Sequence, residues 1–304
     1  MSVKPSGLFF NEVIKSFGGT QALRGVSLRV NRGEIVALLG ENGAWKATRI
    51  KVLGGIHTPD SGGVMIDGAP YAHKPGSANV SQKVAFIHQD LGLVEWMSVA
   101  ENMALAQGFN RKWGLIDWGA ADQSAADALA KVSCTFDPSP RVSDLTRTEK
   151  SLVAIARALA VDCDFLVLDE PTASLPADEV ERLFAALRPL REKGVGMIYV
   201  SHRLDEIFKI ADRVAVLRDG QMVGMRDVSH TNPEELGSLI VGRKAREIAR
   251  PEIAEGKTML TLTDLNTSGV GPVNMEIRQG EVVGLVGLRG AGHEDIGRCL
   301  VGEV

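Results

Sequence analysis

Cysteine is scarce in this sequence: Cys134, Cys163 and Cys299 are the three it has, and they are widely spaced. They offer neither a disulfide framework nor a Cys-x-x-Cys metal site, so unpaired thiols in a reducing compartment are expected. Net charge is also small. Lys and Arg number 34 against 38 Asp and Glu, a formal −4 at pH 7. Whole-chain basicity is therefore excluded as a way to hold nucleic acid, and no nucleic-acid partner is expected, although a local basic patch is permitted. Long apolar runs are missing. The longest are strand-sized, such as Ile35-Val36-Ala37-Leu38-Leu39, well short of the roughly 20 residues that span a bilayer. The first residues show no charged region followed by an apolar stretch of signal-peptide length. The expectation is a cytoplasmic chain whose membrane role, if any, is peripheral and through a partner.

What is present reads as globular. The 304 residues are 44% hydrophobic and 24% charged, and at roughly 150 residues per domain they allow about two domains. Strand-like runs occur near 26–30, 34–39, 63–66, 83–87, 164–168, 196–200, 213–217 and 282–286. Several are continuous apolar runs, as buried parallel strands are. Helix-like stretches lie near 47–55, 98–107, 119–132, 148–160, 177–193, 203–210 and 233–241, the last opened by Asn232 as N-cap and Pro233 in the first turn. Strands alternating with helices predict an α/β core with a parallel sheet. Residues 92–160 are mostly helical and predict an inserted subdomain. The charged stretch 242–257, with Pro251, reads as a linker.

A repeat organises the chain. Displaced by 247 positions, Gly33, Glu34, Val36, Leu38, Gly40, Gly43, Ala44, Leu53 and Gly55 fall on Gly280, Glu281, Val283, Leu285, Gly287, Gly290, Ala291, Leu300 and Gly302. The upstream strand Val26–Val30 falls on Val273–Ile277. The expected division is a whole domain over 1–241, a linker over 242–257, and the beginning of a second copy over 258–304.

Glycine is abundant, 33 of 304 against an average of about 7%, and it gathers in short loops after apolar runs. Residues 35–50, IVALLGENGAWKATRI, run from an apolar strand into a loop with Gly40, Gly43 and Lys46, then into a helix. In a P-loop, backbone N–H groups and a helix N-terminus surround a phosphate, and a lysine adds its charge. The usual form is G-x-x-x-x-G-K-[ST]; here Trp45 and Ala47 stand at the second glycine and the hydroxyl residue, so a plain Gly-rich turn is the competing reading. Residues 164–172, DFLVLDEPT, end an apolar strand in Asp169 and Glu170. An Asp there can hold Mg²⁺ and the next Glu can orient or deprotonate water; two solvated carboxylates is the alternative. The strand IYVSH ends in His202, a candidate γ-phosphate contact. KVAFIHQ places Gln89 at another strand end, where its amide could reach metal and water.

With these motifs in place, the sequence resembles the ATP-binding subunit of ABC transporters. Within that family it is similar to the two-domain ATPases of bacterial carbohydrate importers for ribose, galactose, xylose and similar sugars. The segments GGTQALRGVSLRVNRGEIVALLGENGA, HTPDSGGVMIDG, LDEPTASL, VSHRLDEI and RVAVLRDGQ carry the likeness. The resemblance implies a P-loop NTPase fold: a RecA-like parallel-sheet core, an antiparallel β-subdomain and an inserted helical subdomain. It implies ATP and Mg²⁺ as cofactors. Phe17 would stack on adenine, a core phenylalanine being the alternative. Gly40, Glu41, Asn42, Gly43, Ala44, Trp45, Lys46, Ala47 and Thr48 would wrap the phosphates. Gln89 and Asp169 would serve Mg²⁺, Glu170 would be the catalytic carboxylate and His202 the γ-phosphate sensor. Leu145, Thr146, Arg147, Thr148 and Glu149 stand where the family has its LSGGQ signature, which meets ATP held by a facing domain. Implied partners are polytopic membrane permease subunits, a second nucleotide-binding domain and, indirectly, an extracytoplasmic sugar-binding protein. The implied location is peripheral, on the cytoplasmic face of the membrane.

The departures are local. An indole at position 45 needs space that the loop normally gives to the nucleotide, and its Cβ disfavours an N–H-inward backbone. Ala47 lacks the hydroxyl that would ligate Mg²⁺. Arg147 and Thr148 replace two glycines of the signature, and Glu149 brings negative charge towards phosphate. Weakened ATP binding is expected. In the second copy, His293 stands at the lysine position and is followed by Glu294 and Asp295, which oppose an anion at a helix start.

Overall fold

The computed structural model describes residues 6–40, 52–54, 57–71, 83–132, 134–160, 163–173, 175–242, 256–267, 269–287 and 290–303. Most of the phosphate-loop segment, from Glu41 through Thr48, and nearly all of the 242–257 stretch lie outside these residues. The chain divides into two compact units, Met1–Ala245 and Arg246–Val304.

In the first unit, six strands form a mixed sheet in the order β12-β11-β3-β10-β9-β6 among the described residues. These are β3 (Ile35–Gly40), β6 (Val84–Ile87), β9 (Phe165–Asp169), β10 (Gly196–Val200), β11 (Arg213–Arg218) and β12 (Gln221–Asp227). Neighbours from β11 to β6 pair in parallel; β12 is antiparallel to β11. Both faces of this sheet are covered, which is why its strands read as continuous apolar runs. Alternate residues serve opposite cores. Leu166 and Leu168 of β9 face a core with the Arg147–Leu159 and Ala177–Glu192 helices, while Phe165 and Val167 face the core shared with a second sheet. Each fully buried side chain of this kind contributes about 1.5–3 kcal/mol. The second sheet is antiparallel, in the order β2-β1-β4-β5, built from β1 (Leu8–Phe17), β2 (Thr20–Val30), β4 (Ser61–Ile66) and β5 (Ala69–Pro70).

The stretch 92–160 holds the helices Val99–Gln107, Trp118–Lys131 and Arg147–Leu159, with a short hairpin of β7 (Arg111–Lys112) and β8 (Leu115–Ile116). The first and third helices open with capping boxes, Ser98 with Glu101 and Thr146 with Glu149. Asn232 accepts a hydrogen bond from the Glu235 N–H and caps the Pro233–Val241 helix, as its sequence predicts.

Besides the two-residue strands β5, β7 and β8, three strands went unread in the sequence: β1, β12 and β13 (Thr258–Leu265). In β1 the inward set is Leu8, Phe10 and Val13, a spacing of two and then three. A bulge at Asn11 and Glu12, with Glu12 at φ 46°, breaks the period that identifies a strand. β12 is short of apolar residues, but Asp219-Gly220 before it is a hairpin signal, and both residues adopt positive φ there.

The second unit corrects one expectation. Its β13 (Thr258–Leu265) and β14 (Val273–Arg278) pair antiparallel, as β1 and β2 do. Residues 282–286, the counterpart of β3, form no strand, and Val282 and Val286 are 94% and 97% exposed. β3 is held from both sides by β10 and β11, which follow it by more than 150 positions. Among the described residues of 246–304 there is no counterpart of either, and there the same apolar pattern joins no ladder.

Candidate functional site

β3, β6, β9 and β10 point the same way, so Gly40, Ile87, Asp169 and Val200 end on one side of the sheet. Loops leaving that side diverge and leave a crevice for ligands. Gln89 lies two residues past β6, Glu170 follows Asp169 directly, and His202 lies two residues past β10. Gly40 is the buried last residue of β3; the loop residues Glu41, Asn42, Gly43, Ala44, Trp45, Lys46, Ala47 and Thr48 are outside the description.

The turn after β9 is tightly specified. Glu170 takes φ 48°, a left-handed conformation that costs a non-glycine residue about 1–3 kcal/mol. Backbone bonds hold it there: Glu170 N–H donates to the Val200 carbonyl at 2.9 Å, and Ala173 N–H donates to the Glu170 carbonyl at 3.2 Å. The result places Glu170 Oε1 3.3 Å from His202 Nδ1, with the two side chains 23% and 54% exposed. A carboxylate and an imidazole thus meet just past the ends of two inner strands, within reach of solvent.

Phe17 ends β1 with 40% of its surface exposed, which excludes the core-phenylalanine alternative. His57 meets its ring edge-on at 4.9 Å, and Lys15 Nζ lies 5.6 Å from the ring centroid. A part-exposed aromatic ring beside a cation suits a planar heterocycle.

The signature-position residues behave differently. Thr146 accepts from the Glu149 N–H at 3.3 Å, and Glu149 accepts from the Thr146 N–H at 2.8 Å. The helix start is therefore occupied by its own carboxylate, and an anion arriving there must compete with it. Thr148 is fully buried and its hydroxyl donates to Glu179. That differs from the surface contact the resemblance implies for this position. The reason is that Thr148 lies on the helix face turned towards the Ala177–Glu192 helix, where a glycine would leave space. Arg147 lines a cleft with Gln89, Asp90, Leu91, Glu95 and Lys150. Replacing Thr146 by alanine is expected to cost about 1 kcal/mol in chemical denaturation, whereas Glu149→Gln, which preserves the box, should change stability by less than about 0.5 kcal/mol.

Some residues of the site were not singled out from sequence. Arg157, on the signature helix, donates to the carbonyls of Gly92 at 2.7 Å and Leu91 at 2.9 Å, tying down the turn after Gln89. Burial holds its pKa below the usual arginine value. Arg157→Ala is expected to lower unfolding free energy by about 2 kcal/mol, since it orphans two carbonyls and a charge-assisted pair of bonds; the urea midpoint measures it. Behind the Glu170–His202 pair lies a polar group of Thr172, Tyr199, Ser201 and Glu206, all buried. Glu206 shares the inward face of the Leu204–Ile210 helix with Ile207 and Ile210, and a carboxyl on an apolar face was the readable signal.

A mixed, mainly parallel sheet flanked by an antiparallel sheet and a helical insertion, with carboxylates and a histidine at its strand ends, is the fold of the P-loop NTPases that this chain resembles. Residues 23–173 match the ABC transporter family, and the chain belongs to that family. It is 42% identical over 293 residues to the ribose import ATP-binding protein RbsA 2 of Rubrobacter xylanophilus, covering 95% of this chain and 56% of that protein. It is 40% identical over 299 residues to the ribose import ATP-binding protein RbsA of Corynebacterium glutamicum, covering 97% and 56%. The chain thus spans a little over half the length of these relatives. Its fold is similar to that of a nucleotide-free ATP-binding cassette from an ABC transporter, with TM-score 0.65, 24% identity and coverage of 78% and 96%. It is also similar to an ABC-transporter cassette in its ADP conformation, with TM-score 0.66, 24% identity and coverage of 79% and 100%. No helix among the described residues is long and apolar enough to cross a membrane.

Proposed function

We propose that this chain is the ATP-binding, energy-coupling part of a sugar importer. The observation that carries the reading is its 40–42% identity, along 95–97% of its length, to ribose import ATP-binding proteins. The expected reaction is ATP hydrolysis, used to move a sugar through polytopic permease subunits. A sugar-binding protein outside the membrane would deliver the sugar. A second nucleotide-binding domain would supply the facing signature. The chain would lie peripherally on the cytoplasmic face.

The side chains have matching chemistry. Phe17 offers its exposed face to adenine. Lys46 and the N–H groups of its loop meet the phosphates. Asp169 and Gln89 are hard oxygen donors at strand ends and fit Mg²⁺, which when bound neutralises charge on the phosphates. Glu170 orients and deprotonates the attacking water, and His202, 3.3 Å away, stabilises charge on the γ-phosphate side. The division expected from the repeat, with a domain over 1–241, a linker and a second beginning at 258, belongs to this reading.

A second reading is favoured by Trp45 and Ala47: a catalytically silent subunit that keeps permease docking. Co-purification of the tagged chain with a polytopic membrane protein, followed by ATP turnover of the complex, tests both. Complex with turnover supports the importer motor. Complex without turnover supports the silent subunit. A chain that never associates with a membrane protein overturns both.

A further inference from the structure

Glu206 is 1% exposed and has no place in the chemistry above. A buried carboxyl is costly unless its oxygens are satisfied. One oxygen, Oε2, accepts from three hydroxyls: Thr172 at 2.6 Å, Tyr199 at 2.7 Å and Ser201 at 3.1 Å. The other, Oε1, lies 2.9 Å from Arg203 Nη1 but out of line for a hydrogen bond. Ser201 Oγ also accepts from the Arg203 N–H at 3.1 Å.

The location of those donors is informative. Thr172 lies two residues beyond Glu170, on the loop after β9. Ser201 immediately precedes His202, on the loop after β10. The backbone bond from Glu170 to Val200 ties the first residue of one loop to the end of β10, and Thr172 and Ser201 lie beyond it. Beside the Thr172–Tyr199 hydroxyl contact at 3.3 Å, both loops share one carboxyl oxygen on a third element, the Leu204–Ile210 helix. Such a shared acceptor fixes relative position, because moving either loop breaks a bond between buried groups.

We propose that Glu206 is a positioning residue that sets the separation of Glu170 and His202, and through it the hydrolytic step. The second clause rests on the function proposed above; the first does not. A structural test needs no nucleotide. Histidines are labelled with ¹³C at Cε1, and the His202 signal is assigned by its loss in His202→Asn. The shift that Glu170→Gln causes in that signal is then measured in the parent and in Glu206 variants. The shift is expected to shrink at least twofold in Glu206→Ala and to recover in Glu206→Gln, which keeps an acceptor oxygen. A shift of parental size in Glu206→Ala overturns the proposal. Should that variant fail to fold, Thr172→Val with Ser201→Ala cuts the same ties, and an undiminished shift there overturns it equally.

A kinetic arm uses the chain carrying Trp45→Gly and Ala47→Ser. There Glu206→Ala is expected to lower kcat at least tenfold with KM changed less than twofold. Unchanged kcat overturns the link to hydrolysis. Absence of turnover before Glu206 is altered counts against the hydrolytic function alone, since the histidine signal still decides the positioning role.

Discussion

The double variant Trp45→Gly, Ala47→Ser is expected to bind ATP about a hundredfold more tightly than the parent in the presence of Mg²⁺, roughly 2.7 kcal/mol. Two losses combine at this loop. A phosphate cradle works because successive N–H groups point inward at an anion. Glycine permits the backbone that achieves this and lets the phosphates come close; an indole at position 45 does neither. Ala47 also removes a hydroxyl ligand of Mg²⁺, so the parent should gain little affinity when Mg²⁺ is added while the variant gains much. Equilibrium titration with and without the metal separates the two contributions. Equal affinity of parent and variant would mean that the loop accommodates the indole, and the importer motor would then be the better reading of the native chain.

The second large effect is expected at the carboxylate. In the chain with the restored loop, Glu170→Gln should reduce turnover by about 10²–10⁴-fold, the usual contribution of a positioned general base. ATP affinity should stay within about twofold, because the residue acts on water rather than on the bound phosphates. His202→Ala should also reduce kcat, and the double variant should be no worse than the more damaging single change. That follows from their separation of 3.3 Å: groups that act as a unit lose their function together. Strictly multiplicative losses would show that the two side chains work independently.

Much of this architecture was legible because its causes are local. The β3 run Ile35 to Leu39 is apolar throughout because both faces of its strand are buried. Asn232-Pro233 starts a helix because a side-chain acceptor and a fixed φ suit that position wherever they occur. Asp169, Glu170, Gln89 and His202 each close an apolar run, which placed them at strand ends, and parallel order then placed those ends together. Other features have causes distant in sequence. The Glu12 bulge in β1 hides the strand from a period-two reading. Thr148 stands within a surface motif yet is buried, since Glu179 on another helix receives its hydroxyl.

The sequence by itself determined the family, most of the core strands and helices, and the Asn232–Pro233 helix start. Each is written in residue type and short-range spacing. Tertiary structure alone decided which apolar runs become strands and how the site side chains are held. Residues 35–40 and 282–286 carry the same pattern, but only the first has neighbours on both edges to receive its N–H and C=O groups. Glu206 reads as a carboxyl on an apolar helix face, but only the fold shows Thr172 and Ser201 from two loops and Tyr199 from β10 sharing it. Tyr199 and Ser201 are within seven positions of Glu206, but it is the parallel pairing of β9 with β10 that brings Thr172 from 34 positions away.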